Sequence, residues 1–290
     1  TSPRTKYGPW SRIEVVTSDI PGRTSILVEH ALPILPPALT PAQTAGRTMA
    51  PMASVALFDP CYLQALRPDD ADHARRVLEA LGDSVTLIDG RCCGQPAFNS
   101  GFREEARTVG RGLLRAARAH TTIVTTSGSC TAMVRHYLPT LWQPPRDRAA
   151  AAIAARFVDF ATYVARHPNL DRLALRLPGV VAVHESCHSR RELHASSALA
   201  TVLSHIQGLE VRPPAFAEEC CGFGGTFALE EPEVSVEIMR AKLENLGATG
   251  ARVVVSPDYS CLAHLESGAA GLGVQLQAWT LPELLARALG

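Results

Sequence analysis

The sequence predicts an α/β fold made of two tandem, pseudo-symmetric domains, each a small, mostly parallel sheet flanked by helices. Short apolar segments alternate with amphipathic segments of ten or more residues, as they do in β-α-β units. The chain of 290 residues has the length of two small domains. Its eight cysteines form two sets of four, and corresponding members lie 126 to 131 residues apart, which indicates a tandem duplication.

The first copy opens with a short apolar strand at 55–58, which ends just before Cys61. Helical spacing of apolar residues, with Gly82 as the stop, predicts a helix at 71–81. The later elements are a strand at 85–88 that runs into Cys92-Cys93-Gly94, a helix at 103–120, a strand at 122–125 before Cys130, a short helix, and a last strand and helix within 157–166.

The second copy repeats this order. It contains a strand at 180–183 before Cys187, a helix at 193–206, a strand at 209–211 before Cys220-Cys221-Gly222, a helix at 233–246, a strand at 252–255 before Cys261, and a last strand and helix within 276–289. Ligands of open parallel sheets bind in the loops at the carboxyl ends of the strands. We therefore expect the four thiols of each copy to converge at one edge of its sheet.

The first fifty residues differ from the duplicated part. They contain seven prolines, no cysteine and no sustained apolar period. We predict that residues 1–51 are a disordered extension or an over-extension of the reading frame. The first domain is then expected at 52–176 and the second at 177–290.

Composition excludes several classes of function. The 28 basic side chains balance 28 acidic ones, so there is no general attraction to nucleic acid or to an anionic membrane. No apolar run is long enough for a membrane span, and the start lacks the pattern of a secretory signal. We therefore expect a cytoplasmic protein whose cysteines stay reduced.

Cysteines in this register are predicted metal ligands. The sets read Cys-x30-Cys-Cys-Gly-x35-Cys and Cys-x32-Cys-Cys-Gly-x38-Cys. Neither contains the Cys-x2-4-Cys knuckles usual for structural zinc, whereas an iron–sulfur cluster is larger and accepts ligands from separate loops. This favours a cluster in each half, and zinc in one site stays open as the alternative. All eight are expected to bind it: Cys61, Cys92, Cys93, Cys130, Cys187, Cys220, Cys221 and Cys261. No catalytic residue stands out.

Longer motifs surround these cysteines. They are Cys-Cys-Gly-Gln-Pro-Ala-Phe-Asn-Ser-Gly at 92–101, Ser-Gly-Ser-Cys-Thr-Ala-Met at 127–133, Cys187-His188, and Cys-Cys-Gly-Phe-Gly-Gly-Thr-Phe at 220–227. Over residues 52–290 the chain resembles the cysteine-rich (CCG) domain iron–sulfur proteins. That family includes the cysteine-rich subunit of heterodisulfide reductase and the iron–sulfur subunit of glycolate oxidase, and the motifs are most similar to its lactate-utilization branch.

This resemblance implies a function. The chain would be the iron–sulfur subunit of a cytoplasmic complex that oxidises L-lactate or another small 2-hydroxy acid and transfers the electrons. One cluster, of the 4Fe-4S type, would lie in each CCG domain. The partners would be a larger iron–sulfur subunit and a small third subunit, and the chain would not be active alone. The alternatives are a zinc-stabilised scaffold in a complex of this kind, or a subunit like those of glycolate oxidase or heterodisulfide reductase.

The chain departs from the family pattern at one point in each half. The reductase relatives carry a fifth cysteine, three residues before the last one, and use it for a noncubane cluster. Here Ser127 and Asp258 stand at those positions. The cluster type is therefore open: an ordinary four-cysteine cluster, one with an oxygen ligand, and one with an open iron all agree with the sequence.

Three other patterns compete with this interpretation. His-Glu-x-x-His at 184–188, with His194 following, matches a zinc-protease motif, but His184 follows a predicted strand and so cannot share a helix with His188. His188 is expected beside the second cysteine set or in a packing role. The glycines at 222–225 suit a loop around a cluster better than a phosphate cradle, and the arginines at 103–118 suit a solvated helix face.

Overall fold

Each half of the chain forms a four-stranded sheet in which all strands are parallel. The computed structural model describes residues 53–88 and 92–290, so the extension expected at 1–51 lies outside the described residues. The first sheet consists of β1 (Ser54–Phe58), β2 (Ser84–Ile88), β3 (Ile123–Thr125) and β4 (Phe157–Asp159), in the order β2-β1-β3-β4. The second consists of β5 (Arg176–Val183), β6 (Gln207–Arg212), β7 (Val253–Ser256) and β8 (Gln277–Thr280), in the order β6-β5-β7-β8. The predicted duplication and α/β class are confirmed.

Helices connect the strands in both halves. In the first half they are α1 (Cys61–Leu66), α2 (Asp70–Ala80), α3 (Gln95–Asn99), α4 (Arg103–Ala117), α5 (Gly128–Ala132), α6 (Arg146–Ala154) and α7 (Phe160–Arg166). In the second half they are α8 (Ser196–Ser204), α9 (Phe227–Glu230), α10 (Pro232–Gly247), α11 (Tyr259–Gly271) and α12 (Leu281–Leu289). Across these described segments, none of the helices combines the length and the apolar character that a membrane crossing requires.

Two of the differences from the predicted elements have a local cause. A π-helical turn, His188–Glu192, follows β5, and His194 takes a left-handed conformation with φ 52°. The helix expected from residue 193 therefore begins at Ser196. Helix α6 has no counterpart among the predicted elements, because its run of alanines does not show the spacing of large apolar residues that predicts an amphipathic helix. The domain boundaries at 52–176 and 177–290 stay predictions.

The strand order creates the place where ligands bind. In each sheet the second strand pairs with one edge of the first strand, and the third strand pairs with the other edge. The first and third strands are therefore neighbours. The loops after these two strands diverge and leave a crevice at their carboxyl ends. The loop after β1 carries Cys61, and the loop after β3 carries Cys130. β5 and β7 place Cys187 and Cys261 in the same way.

The sheets and their helices pack around three hydrophobic cores, and one of these cores is common to both sheets. One face of the first sheet packs with α4 and α6 around Phe58, and one face of the second packs with α10 and α11 around Ala182. The remaining faces share a central core, in which Leu57 of β1 and Val181 of β5 belong to the same cluster. In this core α2 packs against α12, and α7 packs against α8. The halves therefore share a core, and their relative position is fixed by packing.

Polar contacts line the seam between α2 and α12. The hydroxyl of Thr280 donates a hydrogen bond to the buried carboxyl of Asp70, and it also accepts one from the backbone N–H of Glu283. Arg67 forms an ion pair with Glu283. Burial raises the pKa of Asp70 to about 7. A carboxyl at this seam therefore titrates near neutral pH.

The two halves fill one equivalent gap in opposite ways. In the first half, a Cβ atom added to Gly110 of α4 would lie 2.1 Å from the side chain of the buried Leu138, which begins a short 3-10 helix, Leu138–Leu141. In the second half the large residue is Met239 of α10, and a Cβ added to Gly268 of α11 would lie 2.2 Å from its sulfur. The glycine and the bulky side chain have exchanged helices, so each half needs its own glycine.

We expect Gly110→Ala to destabilise the protein by about 1–3 kcal/mol, because the added methyl group overpacks the core against Leu138. Glycine to alanine in a helix interior is otherwise stabilising by up to about 1 kcal/mol. Urea unfolding measures the difference. Gly271→Ala in α11 is the matched control, since no atom lies within 4 Å of an added Cβ there. Equal effects of the two substitutions would contradict the packing argument.

We also expect the stability of the protein to depend on pH through Asp70. Folding raises the pKa of this carboxyl from the ordinary value of about 4 to about 7, so the protonated form favours the folded state and that advantage is lost as the pH rises between these values. The side chain at this position in the variant Asp70→Asn cannot titrate. The free energy of unfolding of this variant, relative to that of the wild type, should therefore increase from pH 4 to pH 7. Parallel stability curves would contradict this, and Asp69→Asn, at the exposed neighbouring position, is the control.

Candidate metal centres

The structure brings the four cysteines of the first half together. Cys61 is the first residue of α1, and Cys130 lies within α5, at the carboxyl ends of neighbouring strands. Cys92 and Cys93 approach from the loop before α3. The Sγ atoms of Cys93 and Cys130 are 3.3 Å apart. Cys92 makes sulfur contacts with both Cys61 and Cys93, so the four thiols form one continuous group.

The second half repeats this group. Cys220 contacts both Cys187 and Cys221, and Cys221 also contacts Cys261. Every one of the eight cysteines is a free thiol. Each half therefore offers four thiols around one point, as the register predicted.

Hydrogen bonds between the thiols divide the charge unequally. In the first half, donation from Cys61 and then from Cys93 lowers the pKa of Cys92 far below the usual range of a thiol. The pKa of Cys61 is raised, first by its hydrogen bond to Cys92 and then by burial. Cys220 and Cys187 form the equivalent pair, with the pKa of Cys220 lowered and that of Cys187 raised. In each group these hydrogen bonds therefore favour the thiolate form of one cysteine, Cys92 or Cys220, and the thiolate is the form that binds metals.

The glycines of the two CysCysGly motifs are required by the backbone. Gly94 and Gly222 have φ values of 87° and 89°, which L side chains rarely adopt. A Cβ atom on Gly94 would lie 2.9 Å from the carbonyl oxygen of Ala106, and one on Gly222 would lie 2.4 Å from that of Ser235. Their N–H groups point to the preceding thiols, 3.4 Å from Cys92 Sγ and 3.3 Å from Cys220 Sγ. The backbone of each motif therefore approaches its sulfur atoms closely.

The sulfur atoms of each group differ in their access to solvent. Cys93, Cys130 and Cys221 are buried, with exposed fractions of 2%, 4% and 3%. Cys61 is exposed, and Cys92, Cys187, Cys220 and Cys261 are half-buried. Each group therefore has an inner side fixed in a hydrophobic core and an outer side that faces solvent. A redox partner or a small substrate could reach that outer side.

Ser127 and Asp258, at the positions of the missing fifth cysteine, hydrogen-bond to each other. The hydroxyl of Ser127 donates to Asp258 Oδ1 at 2.6 Å. Ser129 donates to the same carboxylate through its hydroxyl at 2.9 Å and through its N–H at 3.0 Å, and the hydroxyl of Ser186 donates to Oδ2. Asp258 and Ser127 are fully buried. These hydrogen bonds turn both side chains toward the other half of the protein, so they join the halves and direct both side chains away from their own group of thiols.

Close packing accompanies this buried network. A Cβ atom on Gly128 would lie 1.9 Å from the hydroxyl oxygen of Ser189 in the π-helical turn of the second half. Tyr62, which follows Cys61, stacks on Tyr259 with ring centroids 6.5 Å apart. Burial raises the pKa of Tyr62, and the neighbouring charges of Asp258, Cys130 and Cys261 raise it further. Tyr62 therefore lies within electrostatic reach of cysteines of both sets.

His184 is the site residue that the sequence analysis missed. Its side chain is completely buried, and neither ring nitrogen has a hydrogen-bond partner among the described residues. A ring nitrogen and the sulfur atoms of Cys221 and Cys261 all lie within 4.8 Å of one another. Burial, and then the charge of Lys242, lower the pKa of His184 to about 3, so the ring is neutral. The position of His184 could have indicated that it belongs to the site, because it comes one residue after the end of β5, the strand that leads into the loop with Cys187.

The histidines at 184 and 188 do not have the arrangement of a zinc protease. His184 follows the last residue of β5, whereas His188 begins the π-helical turn, so the two do not lie on one helical face. The Nε2 atom of His188 is 3.2 Å from the side-chain nitrogen of Gln95, which follows the CysCysGly motif of the first half. His188 therefore reaches across to the first half, and the protease geometry is absent from these described residues.

The donor set fits a thiolate-bound metal centre. Free thiols in two groups of four, with backbone N–H groups directed at sulfur, are the features that hold iron–sulfur clusters and modify their properties. The contacts of these thiols with one another, in place of disulfides, also agree with a metal-binding role.

Comparison with known proteins supports these features. The model of the cysteine-rich domain family, CCG, matches twice, at residues 55–135 and 181–266. Each match includes one complete set of four cysteines.

Similar proteins of known name cover most of the chain. It is 31% identical to lactate utilization protein A of Bacillus pumilus over 80% of this chain and 98% of the relative, and 34% identical to that of Exiguobacterium over 74% and 89%. A solved structure of a hypothetical protein from Helicobacter pylori is similar in fold, with a TM-score of 0.56 and 14% identity, over 83% of this chain and 50% of that one.

We expect Asp258→Asn to lower the free energy of unfolding by about 1–3 kcal/mol, because the amide NH2 group replaces one acceptor oxygen and leaves buried donors unsatisfied. Urea unfolding of the metal-free protein measures this. Asp171→Asn, at an exposed carboxylate, should change the stability little. A loss at position 258 no larger than that at 171 would show that the network does not join the halves.

Proposed function

The chain belongs to the family of cysteine-rich (CCG) domain proteins, and from this membership we propose that it is the iron–sulfur subunit of a cytoplasmic complex that oxidises L-lactate or a closely related 2-hydroxy acid. Each half would hold one cluster of the 4Fe-4S type. The relatives named lactate utilization protein A support the substrate class. They support a role in lactate utilization, and the transfer of electrons by iron–sulfur clusters is our proposal for that role.

One observation carries the proposal. Two equivalent groups of four free thiols lie at the crevices of two equivalent sheets, on loops that come from three strands each. Ligands from separate loops and from two consecutive residues surround a cluster of several irons more readily than a single ion. In the first half Cys93 and Cys130 would anchor the inner side, while Cys61 and Cys92 would hold the side that faces solvent.

Two centres also agree with the electron count of the reaction. Oxidation of lactate to pyruvate breaks the C–H and O–H bonds at the hydroxyl carbon and releases two electrons and two protons. A thiolate-bound cluster, when present, accepts one electron at a time. Two such centres in one subunit would take both electrons, which would pass to the other iron–sulfur subunit, and the protons would pass to solvent.

The chain would act with partners. We propose a larger iron–sulfur subunit and a small third subunit as the other components, so that this subunit would not oxidise lactate alone. The solvent side of the thiol groups supports an exchange of electrons with such a partner, since Cys61 is exposed and Cys187 and Cys220 are half-buried.

A zinc-stabilised scaffold is the second candidate, and one observation favours it. The donor atoms of His184, Cys221 and Cys261 lie within 4.8 Å of one another, a spacing close to that around a single zinc ion, for which metal–sulfur bonds are about 2.3 Å. In this case the thiols would hold the fold and the partner would carry out the oxidation. Metal analysis distinguishes the two candidates.

We expect the protein purified without oxygen to be brown, to contain iron and sulfide, and to give an electron paramagnetic resonance (EPR) signal when reduced. Cys92→Ser and Cys220→Ser should each lower the iron content by about half, because each removes a ligand from a different centre, and the double variant should lose it. Each variant should also abolish lactate oxidation by the assembled complex.

The control for these variants is Thr131→Ser. This residue follows Cys130, and its hydroxyl bonds to the backbone of Ser127, which serine can also do. It should retain iron and activity. A colourless wild-type protein with stoichiometric zinc and no iron would overturn the electron-transfer function and leave the scaffold.

A further inference from the structure

The residue beside the thiol group at the end of the first strand of each sheet differs between the two halves. In the second half, the backbone N–H of His184 donates to the carbonyl oxygen of Val255 at 2.9 Å, which continues the pairing of β5 with β7. Side chains alternate along a strand, so His184 shares the face of Ala182, which belongs to the core around Cys221. The pairing of β5 with β7 therefore directs the imidazole toward the core that contains Cys221.

At the equivalent position of the first half the residue is Phe58. It precedes Cys61 as His184 precedes Cys187, and it belongs to the same core as Cys93 and Cys130. The ring of Phe58 packs edge to face on Phe157, with ring centroids 6.2 Å apart. A hydrocarbon ring with no donor atom therefore occupies the place that an imidazole occupies in the second half.

A buried imidazole with two unpartnered nitrogens is costly in a folded protein. Buried polar atoms nearly always have a hydrogen-bond partner, and an unsatisfied one costs about 1–3 kcal/mol. Both nitrogens of His184 lack one among the described residues, and one of them lies within 4.8 Å of two thiols. A bond from that nitrogen to a metal would remove part of this cost, and no such feature exists at Phe58.

Lys242 adds a second difference between the halves. It lies on α10, is fully buried, and its ammonium group donates to the backbone oxygens of Phe216 at 3.0 Å and Ala217 at 3.5 Å, in the segment before Cys220. The charge of Lys242 acts on both His184 and Cys221. The equivalent position of α4 is Leu113, a core residue. The second centre thus has a buried cation beside it, and the first has an apolar side chain in that place.

From these contacts we infer that His184 is a ligand of the metal centre in the second half, so that this centre has a nitrogen donor which the first centre lacks. The inference rests on the proposed function, in which each half holds an iron–sulfur cluster. The buried cation of Lys242 beside the second centre favours the reduced state, which carries more negative charge. The second centre is therefore the better electron acceptor of the two, and electrons move from the first to the second.

The test uses the full-length protein, purified without oxygen, reduced, and labelled with 15N-histidine. Pulsed EPR should detect a directly bound histidine nitrogen in the wild type, with the frequency change that 15N causes. In His184→Phe, which copies the first half, this coupling should be lost. His264→Phe is the matched control, because His264 is a neighbouring histidine whose ring nitrogen has a partner in Ser235. It should retain the coupling.

A reciprocal variant makes the test independent of the folding of His184→Phe. Phe58→His places an imidazole at the equivalent point of the first half, and a second nitrogen coupling should appear. A wild type with two clusters but no bound nitrogen would overturn the inference and leave the proposed function intact. A wild type without iron would overturn the proposed function and with it this inference.

Discussion

The carboxylate of Asp258 is the contact on which the arrangement of the two halves depends. It is fully buried and accepts hydrogen bonds from Ser127 and Ser129 of the first half and from Ser186 of the second. All of these residues lie on loops or helix starts that also carry a metal-ligand candidate. The network therefore joins the two crevices as well as the two halves, because a shift of one half against the other would break several buried hydrogen bonds at once.

The shared core explains why the duplication forms one structural unit. Each sheet has one face covered by its own helices, while the opposite faces share a single core built around α2, α7, α8 and α12. The crevices of the two sheets then approach each other, and Tyr62 lies within electrostatic reach of Cys130 and Cys261. In the proposed function, which transfers two electrons in single steps, two centres held close together in a rigid frame would be an advantage.

The duplicated frame allows the halves to differ where packing permits. Gly110 of the first half corresponds to Met239 of the second, and Leu138 corresponds to Gly268. A different helix therefore supplies the large side chain in each half, and the gap is filled in both. The exchange of Phe58 for His184 and of Leu113 for Lys242 replaces apolar atoms beside the cysteines with a donor atom and a charge. The first exchange keeps the gap filled by apolar atoms, whereas the second would make the two proposed metal centres chemically distinct.

The sequence by itself determined the α/β class, the duplication and the convergence of the cysteines, because strand and helix periods are local and the register of CysCysGly places each thiol at a strand end. Only the tertiary structure decided the roles of Ser127, Asp258 and His184. The first two meet across 131 residues of chain, and the third is a donor because its ring nitrogens have no hydrogen-bond partner among the described residues and two distant thiols are near. Such relations depend on how the two sheets pack, and no local pattern encodes them.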